Sequence, residues 1–522
     1  MKTNLVVLLA FGCVAFVGAP LWAETLDVGS RRELFVDYYL IDQLDGAELA
    51  IGQPKDEGIA FQFDKPWEGQ YCGYTTFLKV APDDYRLYFR GTPRYIGENN
   101  LMEQRTCVAI SKDGIHWERP NLGLHEVYGS KDNNVILSDD DKLFTHNFSP
   151  FLDDKPGTPQ SERFKAVAGE RFTGLVIFSS ADGFHWKKMF GGEAVLQNGF
   201  LDSLNTVFWS EAEQRYVCYA RIWIPTWGGN RWIVRATSDD LEHWTSFEEV
   251  QIVHDGKQIV RDAEGVPKEH FYTNGTRPYF RAPHIYISTP GQFTEGRVLT
   301  NDQIATLKFE DNDLEPPSVR ARDYSGARSG DGLMSSRGGN TFQRTFMEDF
   351  IRPSIGPENW ICRHDGTAPG VHQTGPAEMS IYSDIHWGQP SRALRRYSLR
   401  LDGFASLRAP FAGGQMVTKP FSFDGNKLSI NYATSSRGTI KMQFETPDGE
   451  PIEGFTFINC QEIVGNEIER HVVFYDYSRP YRAGGRRTPE PFRNNLGELA
   501  GKPVRLRVVM KDADLYSLQF QK

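Results

Sequence analysis

The residues of this chain that could do chemistry are carboxylates, arginines and aromatics set just ahead of alternating strands. Asp64 and Glu68 stand in Asp64-Lys-Pro-Trp-Glu68, where a Pro-Trp pair would hold both rigidly. Asp202 opens Asp202-Ser-Leu-Asn-Thr206, and Glu378 lies between Pro376 and the alternating run Glu378-Met-Ser-Ile-Tyr382. Glu269 precedes His270-Phe-Tyr-Thr-Asn274, and Asp153 closes Asn147-Phe-Ser-Pro-Phe-Leu-Asp153. Paired carboxyls suit acid–base work on a sugar acetal. One with a raised pKa protonates the leaving oxygen, and a second, kept ionised, attacks or activates water. On that reading Asp64 or Glu68 is nucleophile or base, Glu378 the general acid and Asp153 a stabiliser. Each also has a plainer role. Asp64 and Glu68 can cap a turn or pair with Arg90, and Asp202 can make an Asx-turn. Glu378 can pair with Arg395 or Arg396, and Glu269 can be a solvated loop residue. His146 and Asn147 are candidate sugar-hydroxyl partners, with a core role open to His146. Arg277, Arg281, Arg352 and Arg363 either fork onto a substrate carboxylate or sulfate or tie neighbouring elements together.

The elements that must position these groups are announced by a recurring phrase. Ser111-Lys-Asp-Gly-Ile-His-Trp117 returns as Ser180-Ala-Asp-Gly-Phe-His-Trp186 and Ser238-Asp-Asp-Leu-Glu-His-Trp244, and decays to Ser336-Arg-Gly-Gly-Asn-Thr-Phe342. Each copy follows a short apolar or alternating run, and Asp-Gly is a tight-turn signal between strands. One antiparallel unit is therefore repeated, the sequence signature of a propeller blade. The recurring His116, His185 and His243 belong to that architecture. Counting units predicts five blades, at about 61–120, 146–189, 202–244, 272–342 and 360–402, with 291–330 as a surface insertion. Leu34–Ile41 reads as a strand that completes the ring. Beyond residue 402 the repeat stops, while Leu428–Tyr432, Thr439–Phe444 and Val504–Val509 alternate cleanly, which predicts a β-sandwich. The expected fold is all-β, a five-bladed β-propeller over 24–402 followed by a C-terminal β-sandwich over 403–522. In a propeller the starts of the innermost strands line the axial cavity, where convergent polar groups collect.

Composition bounds the function. Aromatics at 13% and hydrophobics at 39% suffice for a packed core in 522 residues. A formal net charge of −10 argues against nucleic acid or an anionic membrane as the main partner, since either needs a basic face. Residues 1–23 carry one Lys, an apolar stretch and a small residue before Glu24, the pattern of a secretory signal peptide. The expected location is secreted or periplasmic, in a bacterium. Cys72, Cys107, Cys218, Cys362 and Cys460 are scattered and odd in number, neither a disulfide framework nor a zinc site. No metal site and no cofactor are expected, although a structural Ca²⁺ remains open. There is no phosphate-cradling loop, no His-Glu-x-x-His and no Gly-x-Ser-x-Gly.

The turn phrase, Asp64-Lys-Pro-Trp-Glu-Gly69 and Thr374-Gly-Pro-Ala-Glu-Met-Ser380 resemble those of five-bladed glycoside hydrolases. The resemblance is to families 32 and 43, above all a divergent family-32-like bacterial group. It spans about residues 30–520 in architecture. It implies secreted, exo-acting hydrolysis of a glycosidic bond in a poly- or oligosaccharide, with a carbohydrate as partner. It also implies three acids, one from the first strand of each of blades one to three, and Asp202 falls where the family puts its general acid. The family-32 motifs Asn-Asp-Pro-Asn, Arg-Asp-Pro and Glu-Cys are absent, and Asn147–Asp153 stands where Arg-Asp-Pro would fall. A sialidase-like hydrolase, with Tyr272 as nucleophile under an Arg triad, and a non-catalytic carbohydrate-binding propeller are the alternatives.

Overall fold

The computed structural model describes residues 25–522 except 94, 97–100, 139–145, 171–173, 198–200, 202, 225–229, 259–269, 296–298, 307–326, 361–365, 477–491 and 494. The expected signal peptide lies outside the described residues. The all-β expectation holds. The main strands form five successive sheets, antiparallel but for one pair, and one larger C-terminal sheet, beside one three-stranded and three two-stranded sheets, with a single short α-helix at Asn301–Ala305 among the described residues.

Sheet 1 runs Gly73–Ala81, Asp84–Gly91, Arg105–Ser111, Val135–Leu137, and sheet 2 runs Ser149–Leu152, Phe164–Glu170, Gly174–Ser180, Lys187–Lys188. Sheet 3 runs Thr206–Ser210, Arg215–Ile224, Asn230–Ser238, Glu248–Glu249. Sheet 4 is built on Arg277–Tyr279, Ala282–Ser288, Met334–Ser336 and Thr341–Gln343, and its outer strand Gln251–His254 pairs parallel to Thr341–Gln343. Sheet 5 runs His372–Gln373, Glu378–Ile385, Ala393–Arg400, and Lys55–Gln62 is its outermost strand. The first strands of sheets 1 to 4 touch in order, and Glu378–Ile385 of sheet 5 returns to touch Gly73–Ala81. Apolar cores fill the gaps between sheets, as where Phe61, Phe63, Phe77, Leu87, Phe89 and Tyr382 cluster between sheets 5 and 1. The first strands all start at one end of this ring, here the mouth, and finish at the other, the base.

The ring is completed by Lys55–Gln62, not by residues 34–41. Arg32–Leu34 pairs with Arg505–Gln521, and Ile41–Asp45 pairs with Gly414–Thr418. Phe35, Leu40 and Ile41 are buried in the C-terminal core, which is what holds this apolar run there. Glu48–Ile51 also joins that sheet, through Ala405–Ala409. The N-terminal strands therefore belong with 403–522, across the boundary expected at 402. In place of two separate layers, one eight-stranded sheet curls around its own core. Its spine is the pair Lys427–Glu445 and Arg505–Gln521, whose register shifts between Thr434 and Thr439.

The repeat phrases all turn at the base. In the three copies that keep the Asp, the Ser Oγ accepts from the N–H three residues on, and the Asp Oδ1 accepts from the N–H groups two and three residues beyond it. The Asp Oδ2 meets the His Nδ1 at 2.7, 2.7 and 2.8 Å. Desolvation works against the charged form of Asp113 and Asp182, but these bonds hold both well below the usual carboxylate range. In Asp240 the His243 N–H is the largest influence and acts in the same direction. The three histidines are exposed and serve the turn.

Candidate active site

At the mouth, the start of sheet 1 meets the start of sheet 4. Tyr74 Oη and Tyr272 Oη lie 2.9 Å apart. Arg90, from the second strand of sheet 1, stacks on Tyr74 at 4.4 Å and donates to Asn147 Oδ1 at 2.9 Å. The guanidinium groups of Arg221 and Arg231, on neighbouring strands of sheet 3, lie 5.2 and 5.4 Å from the Tyr272 ring centroid. Ser203 Oγ, ahead of the first strand of sheet 3, donates to the Tyr272 carbonyl. Two residues beyond Arg221, and so on the same face of its strand, Trp223 is 42% exposed. Sheets 1, 2, 3 and 4 thus converge on one aromatic and cationic patch.

Backbone strain and unmet hydrogen bonding also occur at this end. Tyr74 (φ 51°), Asn147 (φ 55°) and His386 (φ 61°) adopt left-handed conformations at strand ends on the mouth side. Such non-glycine residues cost about 1–3 kcal/mol each and persist where surrounding structure imposes them. The buried atoms Thr76 Oγ1, Arg90 Nε, Asn147 Nδ2, Asn274 Nδ2 and Thr276 Oγ1 have no hydrogen-bond partner. Buried polar atoms are normally paired, so this end offers donors and acceptors to a polar ligand.

Asp384 is a carboxylate at the mouth. It ends the second strand of sheet 5, accepting from Thr75 Oγ1 at 3.1 Å and Thr75 N at 3.4 Å, with Arg392 Nη2 at 3.6 Å. Ser383, its neighbour on the opposite face, donates to Asp331, a fully buried carboxyl between sheets 4 and 5. Burial, reinforced by the charge of Asp349, pushes the Asp331 pKa well up.

The residues singled out in the sequence separate into groups. Tyr272, Asn147 and His146 are at the mouth, where His146 Nδ1 meets Gln104 Oε1 at 2.9 Å. Asp202, Glu269 and Arg363 lie outside the described residues. Glu68 is fully buried and its oxygens are taken by Arg119 at 2.7 and 2.8 Å and by Lys65 N, so its partner is Arg119 and not Arg90. Burial pushes its pKa up against the pull of Arg119. Asp64 is exposed and pairs with the same arginine at 3.1 Å. Glu378 starts its strand at the base, because sheet 5 is antiparallel and Thr367, not Glu378, begins the inner path at the mouth. There it pairs with Arg396 at 2.9 Å. Asp153 follows the first strand of sheet 2 at the base, bound to Tyr216 Oη at 2.9 Å. Arg281 contacts Glu469 of the C-terminal unit and Asp402 at its junction with the ring, Arg352 is exposed, and Arg277 opens the first strand of sheet 4 and lines the cavity that reaches the base. The expected Arg cluster of sheets 4 and 5 is thus dispersed, and the one at the mouth is Arg90, Arg221 and Arg231. No group of three or more His, Cys, Asp or Glu able to hold a metal ion is present among the described residues.

No family model and no curated protein matches the chain. Solved structures do. Several of them are described as glycoside hydrolases. One so described is 11% identical with a TM-score of 0.43, over 67% of this chain and 92% of its own. A family-43 arabinoxylan arabinofuranohydrolase from Bacillus subtilis, in complex with cellotetraose, is 11% identical with a TM-score of 0.36, over 88% and 96%. An N-acetylgalactosamine deacetylase from F. plautii, in complex with blood group B trisaccharide, is 11% identical with a TM-score of 0.39, over 69% and 97%.

Proposed function

We propose that the five sheets act as the blades of a propeller and that the mouth is a saccharide site at which this chain hydrolyses a glycosidic bond. The observation that carries the reading is the Tyr74–Tyr272 hydroxyl pair under Arg90, Arg221 and Arg231. Tyrosines give sugar rings an apolar face with a polar edge, and the unpaired buried amides and hydroxyls supply hydroxyl partners. In this proposal Asp384, fixed by Thr75 and Arg392, is the ionised carboxylate, and Asp202, next to Ser203, is the acid. The protein is exported through residues 1–23 and acts from a chain end.

A second reading is a carbohydrate-binding propeller, favoured by the ion pairing of Glu68 and Glu378 away from the patch. A released-sugar screen of the purified protein against plant and algal glycans, sulfated ones included, separates the two. Release of a single sugar, lost in Asp202→Asn and in Asp384→Asn, supports hydrolysis. Retention on glycans with no release by the wild type supports the binder and ends the hydrolase reading.

A further inference from the structure

The base of the ring holds a cavity that the mouth chemistry does not use. Its volume is about 500 Å³, within the roughly 300–1,000 Å³ typical of small-molecule sites. All five first strands contribute to it, through Phe77, Phe151, Phe208, Arg277 and His372. Most of its wall is aromatic or aliphatic.

Arg277 is out of place in such a wall. Its guanidinium donates to the Val207 carbonyl, to Pro150 O at 3.1 Å and to Ser149 Oγ at 3.4 Å, all neutral, and its Nε is buried without a partner. No carboxylate among the described residues pairs with it, and burial pushes its pKa down to about 9 with only the Cys218 thiol acting the other way. Buried charges are ordinarily paired. The same positive field reaches His372, which burial pushes down to about 4 with Lys79 and Arg277 adding to the effect. Lys79 also lines the cavity, with its Nζ on the Gln373 carbonyl and over the Tyr85 ring. Asp154 is the one acid in the lining, and it is exposed. Two cations thus share an apolar cavity in a chain whose net charge is −10.

We propose that this basal cavity binds a small organic anion, a carboxylate on an aromatic or branched apolar body. Arg277 and Lys79 take the charge, and Phe77, Phe151 and Phe208 take the body. A neutral sugar would leave the cations unmatched, and an inorganic anion would leave the aromatic wall uncovered. The proposal stands apart from the mouth and does not depend on hydrolysis there.

Equilibrium dialysis of the purified protein against cinnamate, with cinnamyl alcohol as the neutral analogue, tests it. One cinnamate should bind per chain, roughly tenfold or more tighter than the alcohol, as expected for hydrogen bonds to a charged group. Arg277→Met should bring the two ligands to within about twofold of each other, and Lys79→Met should weaken cinnamate severalfold. Lys79 is partly exposed, so its variant decides the matter even where Arg277→Met fails to fold. Absence of cinnamate binding, equal binding of the alcohol, or cinnamate affinity untouched by Lys79→Met would overturn the proposal.

Discussion

Tyr272 and Tyr74 share one hydrogen bond across the mouth, and the two enzymatic roles open to Tyr272 part on its hydroxyl. As a sugar partner, that hydroxyl contributes about 0.5–1.5 kcal/mol, so Tyr272→Phe should raise KM up to roughly tenfold and leave kcat largely intact. As a nucleophile it is indispensable, and the same variant should abolish turnover while still binding substrate. Tyr74→Phe is the control, since it removes the partner oxygen of the pair and leaves Tyr272 its own. Steady-state constants for both variants, on whichever glycan the screen yields, decide between the roles. At this scale the sequence was readable for Tyr272 and Asn147, which sit just before recognisable first strands. Arg221, Arg231 and Trp223 are not singled out by the sequence, and Arg90 enters only as an ion-pair partner, because they lie on second and third strands and only the hairpin register brings their side chains to the mouth. Glu68 misled for the opposite reason. A carboxylate ahead of a first strand looks like a site residue until Arg119, 51 positions along the chain, closes on it.

The turn phrase is the element-scale unit, and its aspartates make a prediction of their own. Asp113, Asp182 and Asp240 each accept two backbone N–H bonds and one from a histidine. Replacing one by Ala should cost about 1 kcal/mol, and because the three turns lie in different sheets the costs should add. The pH dependence follows from the direction of the shift. Each carboxyl is held below its ordinary pKa in the folded chain, so its contribution is complete above about pH 4 and is lost as the pH falls through the folded value. Melting temperatures from pH 6 to pH 2.5 should therefore fall more steeply for the wild type than for the triple Ala variant below pH 4. Parallel curves would remove the aspartates from the stability of the turns. These units were legible because Asp-Gly, alternation and a closing Trp are local signals. The outer strands were not, since Lys55–Gln62 and Gln251–His254 take partners hundreds or tens of residues away by tertiary fit.

Asp402 marks where the ring and the curled C-terminal sheet become one molecule. Its fully buried carboxylate accepts from Arg32 at 3.2 Å on the N-terminal segment and from Tyr279 at 2.8 Å on sheet 4. Asn431 and Ser517 of the C-terminal sheet add bonds at 3.1 and 2.6 Å. Four distant stretches of chain therefore meet on one side chain, a junction no local pattern in the sequence announces. The same long-range pairing explains why residues 26–51 read as part of the ring: their strands alternate like any others, and only Arg32–Leu34 against Arg505–Gln521 reveals their allegiance. Asp402→Ala leaves Arg32 buried with its remaining charged contact on the half-exposed Glu469, and breaking a buried pair in this way costs about 3–5 kcal/mol. Because the lost bonds lie between the two units and not within either core, the effect should be on cooperativity as well as on stability. Scanning calorimetry of Asp402→Ala should show an earlier melt that divides into two transitions, where the wild type shows one. A single transition displaced by less than the equivalent of about 1 kcal/mol would mean that the inter-unit apolar contacts, such as Leu34, Tyr279 and Phe404 in one shared cluster, hold the halves together without the carboxylate.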